Sequence, residues 1–395
     1  MQQIKSNLIK IFFSFYIVFN FLKLSADPLL VAVLMVKNEE PVMEMTLQPL
    51  VNAGITDFFI YDTGSTDNTI AVTQEFFQNN NISNYVIKQG EWIDFAASRN
   101  QALDLTEQYF PNAKFMLMLD AEWILHGGHE LLQFCAGEQN SLDDLFYIRL
   151  CWDGVDFYHA RLIRCRSDIR FKGKVHETPD GTPYLIAIPS IYFSLDESAQ
   201  ARHQKSGARW IRDRDILLQE AACHPDDTRT LFYLAQTYMS LCDYENAIAW
   251  YHKRLALHGF DEEDYFACYA LALAYGLSGD ADSMIFYNLK AYEMRRHRAD
   301  PLIQLAQYFF QVQAYDLAYL FVRHACTIPF PERDVLFIER FMYDFVRYDL
   351  LSAVAYYEHD FKLGYIATQK ALQTCPSAVH LQDNLKKYQQ ALGVE

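Results

Sequence analysis

The sequence predicts an α/β domain with a mainly parallel sheet, followed by an all-helical domain built from repeats. Two observations predict this order. From Leu29 to about Gln200, short apolar runs alternate with helical stretches and turn clusters. Strands that alternate with helices form largely parallel sheets. After about Ala201 the strand signals stop, and small and aromatic residues begin to recur at helical spacing.

The first half contains four predicted strands and two predicted helices. The strands are at 29–36, 58–61, 85–87 and 114–119, and the helices are at 69–78 and 96–109. The first strand is apolar throughout, which is typical of a strand covered on both faces. Ligands of open α/β sheets bind at the carboxyl ends of the strands. We therefore expect the ligand site among the polar segments that follow these strands.

The first 26 residues differ from the rest of the chain. Lys5 and Lys10 precede a 12-residue apolar run at 11–22, and Ala26 is a small residue at a possible cleavage point. This pattern predicts a signal peptide. A signal anchor and a plain apolar leader are the alternatives, because a membrane span needs about 20 apolar residues. A signal peptide or anchor indicates the secretory pathway or membrane association, and a location on the cytoplasmic side stays open.

Composition limits the classes of function. The chain has 395 residues, of which 51% are hydrophobic and 21% charged, as in ordinary folded proteins. Its formal net charge of −16 argues against a nucleic-acid partner. A phosphate ligand in one local pocket is compatible with that charge. The predicted organisation is a leader at 1–26, an α/β domain at 27–200 and a helical repeat domain at 201–395.

The second half carries an internal repeat. Ala235, Ala272 and Ala306 are 37 and 34 residues apart, and each is followed three residues later by an aromatic residue. This pattern resembles the tetratricopeptide repeat, in which small and aromatic positions let two helices pack closely. The resemblance covers roughly residues 226–392, with an irregular insertion near 329–339. Another array of helix hairpins is the alternative. Such repeats imply a possible protein partner.

Two carboxylates interrupt an apolar run at 117–125. Asp120 and Glu122 are two residues apart, and residues at that spacing project to the same side of an extended segment. Like charges held together repel unless a cation bridges them or one carboxylate takes up a proton. Oxygen-only ligation suits Mg²⁺ or Mn²⁺. The pair therefore predicts a divalent metal site. The alternative is a strand end that simply reaches solvent.

Five segments occur in the order typical of one enzyme family. They are VKNEE at 36–40, YDTGSTDNT at 61–69, DFAASRNQAL at 94–103, LDAE at 119–122 and GKVHE at 173–177. Together they resemble the family-2-type glycosyltransferases of the GT-A fold, which use nucleotide sugars. In one subgroup of that family the catalytic domain is followed by tetratricopeptide-like helices. The resemblance implies a GT-A, Rossmann-like sheet for residues 27–200.

The resemblance also implies a role for each matching residue. The implied nucleotide-sugar ligands are Asn38, Glu39, Asp62, Gly64, Asp67, Arg99, Asn100 and Asp120. The implied ligands of the Mn²⁺ or Mg²⁺ cofactor are Asp120, Glu122 and His176. Glu177 is the implied catalytic acid/base. Arg99 would face a phosphate, because a planar guanidinium suits phosphate oxygens.

The implied reaction moves a sugar from a UDP- or GDP-linked donor to a glycan, lipid or protein acceptor, with inversion and with a divalent metal. Trp123 follows Glu122 directly, where relatives commonly carry another acid. That departure favours an alternative, a catalytically degenerate sugar-nucleotide-binding domain on a repeat scaffold for protein interactions. Nucleotidyl transfer is a third reading, because nucleotidyltransferases have a similar fold.

Overall fold

The computed structural model describes residues 27–195 and 207–394. The predicted leader at 1–26 lies outside these residues, as does the predicted domain boundary after residue 200. Both stay predictions. Among the helices of the described residues, none has both the length and the apolar character that crossing a bilayer requires.

The N-terminal half alternates strands and helices. Its described strands are β1 (Leu30–Val36), β2 (Asp57–Asp62), β3 (Asn84–Gln89), β4 (Phe115–Asp120), β5 (Trp123–His126), β6 (Leu145–Trp152), β7 (Val155–Arg164), β8 (Phe171–Lys172), β9 (Thr178–Pro179), β10 (Tyr184–Leu185) and β11 (Tyr192–Leu195). Its described helices are α1 (Met43–Asn52), α2 (Thr69–Asn79), α3 (Phe95–Tyr109) and α4 (Gly128–Gly137). The six elements predicted before residue 120 are all present, within two residues of their predicted ends.

One mixed sheet forms the centre of this half, in the order β3-β2-β1-β4-β7-β6-β11-β5. Strands β1 to β4 pair in parallel, as predicted. Strand β7 is antiparallel to both β4 and β6, so the prediction of a mainly parallel sheet is wrong for the second part. A tight hairpin makes β6 and β7 antiparallel to each other. Asp153 and Gly154 both have positive φ, 50° and 76°, and an Asp-Gly pair favours this turn.

Helices cover both faces of the sheet, which explains why β1 is apolar throughout. Leu34 packs in one core with Leu47 of α1 and Phe77 of α2. Val33 points to the opposite face and packs in a second core with Leu103 of α3. Successive side chains of a strand alternate between the two faces. The sheet therefore holds its strand ends in a fixed position between two layers of helices.

The C-terminal half is an array of helix hairpins. Its described helices are α5 (Gly207–Cys223), α6 (Thr228–Ser240), α7 (Tyr244–Leu255), α8 (Asp261–Ser278), α9 (Ala281–Met294), α10 (Asp300–Gln311), α11 (Tyr315–Ala325), α12 (Arg347–Tyr357), α13 (Phe361–Thr374) and α14 (Val379–Leu392). The repeat alanines Ala235, Ala272 and Ala306 are fully buried between the helices. The prediction of a tetratricopeptide-like helical array is confirmed for this half.

The predicted insertion near 329–339 joins the two halves. Its end forms strand β12 (Ile338–Glu339), which pairs antiparallel with the start of β7. The amide of Tyr158 also donates to the carbonyl of Val335 at 2.9 Å. Strand β4 pairs with the far end of β7, so the start of β7 has an open edge that β12 fills. The expectation that strands stop after Ala201 is wrong at this segment.

Candidate functional site: an arginine-rich cavity at the strand ends

A cavity of about 520 Å³ lies at the carboxyl ends of β1, β2 and β4. This is the edge at which the sequence predicts a ligand site. Its volume is within the range of small-molecule sites, about 300–1,000 Å³. The helical half closes one side of it through Arg209 and Arg212 of α5 and Arg229 and Tyr233 of α6. The cavity is therefore built from both halves of the chain.

The predicted site residues divide into two groups. Those in the cavity wall are Glu39, Arg99, Asp120, Glu122, His176 and Glu177. Those outside the wall are Asn38, Asp62, Gly64, Asp67 and Asn100. The second group supports the first, as their hydrogen bonds show.

The loops after β1 and β2 are tied together by hydrogen bonds. We call residues 38–40 and 65–69 the loop clasp. Within it, the amide of Asn38 donates to the Ser65 hydroxyl at 2.9 Å, and Asn38 Oδ1 accepts from the amide of Thr66 at 2.7 Å. The Glu40 carboxylate accepts from the amide and the side chain of Asn68, both at 3.1 Å. These polar groups bind one another and fix the rim of the cavity.

Asp62, Gly64 and Asp67 shape the same loop. Asp62 is fully buried and accepts from the amide of Ser65 at 3.2 Å. Asp67 precedes the N-cap residue Asn68 and accepts from the amide of Thr69 at 3.0 Å at the start of α2. Gly64 has φ of +98°, a conformation that favours glycine. These three residues lie outside the cavity wall, and a contact with the nucleotide stays a prediction for them.

Helix α3 positions two of the predicted residues. Asp94 caps the helix by accepting from the amide of Ala97 at 2.7 Å. One turn later, Arg99 points into the cavity and Asn100 points to strand β8. Asn100 accepts from the amide of Phe171 at 2.7 Å and donates to its carbonyl at 2.9 Å. Asn100 therefore fixes the strand that leads into the segment at 173–177.

The helical half holds the segment at 173–177 from its other side. Lys174 forms an ion pair of 2.6 Å with Glu220 of α5. Arg229 Nε donates to the carbonyl of His176 at 3.2 Å. The imidazole of His176 stacks on the ring of Tyr233, with centroids 4.1 Å apart. The repeats thus set the position of the neighbouring Glu177.

Four charged side chains form the centre of the site. We call Arg99, Asp120, Arg161 and Glu177 the arginine–carboxylate cluster. Arg99 donates to Asp120 at 2.5 Å and to Glu177 at 2.7 Å. Arg161 lies 3.3 Å from Asp120 and 3.5 Å from Glu177. Both arginines are almost fully buried, at 2% and 4% exposure. Each carboxylate is therefore paired with both guanidinium groups.

This pairing lowers the pKa values of both acids. Burial alone raises the pKa of Asp120, but Arg99 and Arg161 outweigh it and lower the pKa to about 2. Burial also raises the pKa of Glu177, but Arg99 and Arg161 again outweigh it, so this pKa is below its ordinary value. Burial, aided by Arg161, lowers the pKa of the neighbouring His159 to about 3. At neutral pH both acids are charged and His159 is neutral.

The predicted metal site is not supported by this geometry. Strand β4 ends at Asp120, and Glu122 lies in the following turn with φ of +78°. The premise that both carboxylates project from one extended strand is therefore wrong. Within residues 27–195 and 207–394, no group of three or more His, Cys, Asp or Glu side chains is arranged to hold a metal ion. Asp120, Glu122 and His176 do not form such a group, and a Mn²⁺ or Mg²⁺ cofactor stays a prediction.

Sequence reasoning missed Arg161. It matches none of the five segments, yet it touches both carboxylates of the cluster. A signal was present, since Arg161 stands between Ala160 and Leu162 in an apolar strand pattern. A charge in such a run is costly without a partner. The same argument identified Asp120.

A second cavity, of about 880 Å³, lies between the sheet and the helical half. The two cavities share a wall that includes Arg161, His176, Glu177, Arg229 and Tyr233. The far side of the second cavity is formed by the segment at 333–337, next to β12. Glu177 therefore borders two spaces, one at the strand ends and one against the repeats.

Comparison with known proteins gives matches among solved structures. No protein-family model matches the chain. The search of curated proteins gives no match either. A structure of MamA has 17% identity and a TM-score of 0.35, and the alignment covers 45% of this chain and 94% of MamA. The C-terminal part of a TPR repeat-containing protein from Cytophaga hutchinsonii has 14% identity, a TM-score of 0.38 and coverage of 47% and 67%.

A thermophilic TPR protein of Thermus thermophilus has 15% identity and a TM-score of 0.32, with coverage of 50% of this chain and 95% of that one. TPR denotes the tetratricopeptide repeat. The helix hairpins of the C-terminal half themselves form a tetratricopeptide-like array. The glycosyltransferase resemblance of the α/β half stays a prediction.

Proposed function

We propose that the chain transfers a sugar from a nucleoside-diphosphate donor to an acceptor. One observation carries this proposal: predicted site residues from four of the five segments, between Glu39 and Glu177, meet in the wall of one cavity at the strand ends. Those segments resemble, in their order, the family-2-type glycosyltransferases. The parallel order β3-β2-β1-β4 suits a Rossmann-like nucleotide site.

The cluster residues suit the chemistry of such a transfer. An acceptor hydroxyl attacks the anomeric carbon, the bond from that carbon to the diphosphate oxygen breaks, and the nucleoside diphosphate leaves. Arg99 and Arg161 lie where they can stabilise the negative charge that develops on the leaving group. Glu177 is the residue best placed to take the proton of the acceptor hydroxyl, because it borders both cavities.

The second cavity provides room for an acceptor. Aromatic side chains of both halves line it, among them Phe157, Tyr158 and Phe337. Aromatic faces with nearby polar groups bind sugars and other amphipathic ligands well. In this proposal the α/β half binds the donor, and the repeats form one wall of the acceptor site.

A second candidate function is binding without transfer. The observation that favours it is the pairing of Glu177 with Arg99 at 2.7 Å. This pairing lowers the pKa of Glu177 and makes it a weaker base. The chain would then be a sugar-nucleotide sensor whose helical repeats dock a protein partner. Nucleotidyl transfer has no comparable observation in its favour.

One experiment decides between these functions. UDP- and GDP-sugars are titrated calorimetrically into the full chain, and release of free nucleoside diphosphate is followed with each ligand that binds. For transfer, we expect binding together with turnover that Glu177→Gln lowers by about 100-fold, the ordinary contribution of a general base. Glu107→Gln is the matched control, because Glu107 bonds the Arg166 amide outside both cavities.

Three outcomes separate the readings. Binding with turnover that depends on Glu177 supports transfer. Binding with no turnover supports the sensor and rejects transfer. If neither UDP- nor GDP-sugars bind, both functions are rejected.

A further inference from the structure

Two buried nitrogen atoms of the arginine–carboxylate cluster lack partners. Among the described residues, Nη1 of Arg99 and Nη1 of Arg161 are buried and donate no hydrogen bond within the protein. Both side chains line the cavity at the strand ends. Leaving a buried charged donor unpaired costs about 1–3 kcal/mol or more. Two such donors on one cavity wall indicate a ligand that supplies acceptor oxygens.

The other nitrogen atoms of Arg99 and Arg161 that donate hydrogen bonds donate them to the two carboxylates of the cluster. Arg99 uses Nε for Glu177 and Nη2 for Asp120. Arg161 uses Nη2 for both carboxylates. Each Nη1 carries two N–H groups, so the pair offers up to four donors to a ligand. Their planar arrangement suits phosphate oxygens.

The same pairing disfavours a divalent cation at Asp120. Its Oδ1 accepts from Arg99 and its Oδ2 from Arg161. A divalent cation bound there would lie close to both guanidinium groups, and like charges repel strongly in a site of low dielectric. The arginine pairing therefore weakens the affinity of Asp120 for a metal.

The charge of the whole cavity agrees with an anionic ligand. The chain carries a net charge of −16. Against that background the cavity wall carries six basic side chains, which are Lys37, Arg99, Arg161, Arg209, Arg212 and Arg229. Three of these belong to the helical half. The wall also carries five acidic side chains, which are Glu39, Asp120, Glu122, Glu177 and Asp213. The wall is thus slightly basic on a strongly acidic chain, which favours anions here over the rest of the surface.

We propose that Arg99 and Arg161 bind a diphosphate group directly through their Nη1 atoms, without a divalent cation between protein and phosphate. The choice of diphosphate as the ligand rests on the proposed function. The proposal adds Arg161 to the site and assigns the cluster the role that the sequence analysis predicted for Mn²⁺ or Mg²⁺. The Asp120 carboxylate then orients the arginines rather than a metal.

The test uses inorganic pyrophosphate and the full chain. Calorimetric titrations are run in EDTA and in Mn²⁺. We expect dissociation constants that agree within about 2-fold between the two conditions, because no metal bridge contributes. Arg161→Met should weaken binding by about 10- to 100-fold in both conditions, the worth of one or two charge-assisted hydrogen bonds. Arg161→Lys should restore only part of that loss, since lysine lacks the planar fork.

Arg170→Met is the matched control. Arg170 also forms an ion pair, with Asp104, but it lies outside both cavities, so its removal should change the affinity less than about 2-fold. Binding that EDTA abolishes would overturn the proposal and restore the metal prediction. Absence of pyrophosphate binding in both conditions, or an unchanged affinity of Arg161→Met, would overturn it as well. The comparison of EDTA with Mn²⁺ uses the natural chain, so it does not depend on the folding of a variant.

The inference and the proposed function can be rejected separately. If pyrophosphate binds in EDTA but no sugar nucleotide is turned over, the inference holds and sugar transfer is rejected. If sugar nucleotides are turned over only with Mn²⁺ and pyrophosphate binding also requires it, transfer stands and the inference is rejected.

Discussion

The loop clasp and the arginine–carboxylate cluster border the same cavity but differ in how their polar groups are satisfied. In the clasp, Asn38, Glu40 and Asp67 bond groups of the facing loop or of the following helix turn. In the cluster, Arg99 and Arg161 each keep one buried nitrogen without a partner in the described part of the chain. The polar groups of the clasp thus bond one another, whereas the cluster keeps two donors without a partner among the described residues.

This difference shows that a sequence motif does not identify ligand contacts by itself. Segments 36–40 and 61–69 contain several predicted nucleotide ligands, yet most of their polar side chains bond other loop residues. Arg161 belongs to no motif and reaches the centre of the site. Substitutions in the clasp should therefore change stability, and substitutions in the cluster should change stability, pH dependence and binding.

The largest expected effect on stability follows from removing a carboxylate of the cluster. Glu177→Ala leaves Arg99 and Arg161 with one buried acid between them. We expect the free energy of unfolding to fall by about 3 kcal/mol, because removing one partner of a buried ion pair leaves an uncompensated charge. Urea denaturation measures it.

The matched control for that change is Asp180→Ala. Asp180 pairs with Lys172, but both side chains are mostly exposed, at 60% and 69%. Its loss should lower stability by less than about 0.5 kcal/mol. Equal effects of the two substitutions would show that the cluster is not a buried pair.

The second effect is a pH dependence that comes from Asp120. Its pKa is lowered to about 2 in the folded chain, against about 3.9 when unfolded. The unfolded chain therefore binds more protons in this range, and stability falls as the pH decreases. The contribution is complete above about pH 4 and is lost as the pH approaches about 2. Glu177, whose pKa is also lowered, adds in the same direction.

Urea midpoints between pH 5 and 2.5 measure this dependence. Asp120→Asn cannot titrate, so its midpoint should be lower at pH 5 and should change less across the range. A variant whose midpoint follows that of the natural chain in parallel would contradict the assignment to Asp120.

Local patterns predicted much of the first half, because its elements form from neighbouring residues. The apolar run at 29–36 and the helical spacing at 69–78 correspond to β1 and α2 almost residue for residue. The Asp153-Gly154 turn is equally local, but the hairpin that it indicates is absent from our prediction. The repeat alanines predicted the helical half in the same way, since Ala235 and Ala272 lie where helices pack closest.

Contacts distant in sequence could not be predicted from such patterns. Glu177 meets Arg99 across 78 residues, and Arg340 meets Asp156 across 184. No local spacing encodes the pairing of β12 with β7. The i, i+2 argument for Asp120 and Glu122 failed for a related reason. It assumed a continuous strand, whereas the chain turns with positive φ at Glu122.

The third effect tests the clasp. Asp67→Ala removes the acceptor for Thr69 at the start of α2 and for the amide of Glu40. We expect stability to fall by about 1–2 kcal/mol, because two backbone amides lose their acceptor, with pyrophosphate affinity unchanged. Asp67→Asn is the control, because its amide oxygen can still accept from these amides. A loss of affinity in Asp67→Ala as large as that in Arg161→Met would remove the distinction between clasp and cluster.

The smallest effect isolates the backbone conformation of Gly64, which directly precedes the clasp residues 65–69. A Cβ added at Gly64 meets no atom within 4 Å, so Gly64→Ala introduces no clash. Its φ of +98° is still unfavourable for alanine, and we expect a loss of about 1 kcal/mol. Gly137→Ala is the matched control, because that glycine also has open space but has φ of −67° at the end of α4. It should leave stability unchanged or raise it by up to about 1 kcal/mol. Thermal unfolding of the two variants side by side separates the effect of φ from that of packing, and equal shifts would show that the Gly64 conformation does not constrain the loop.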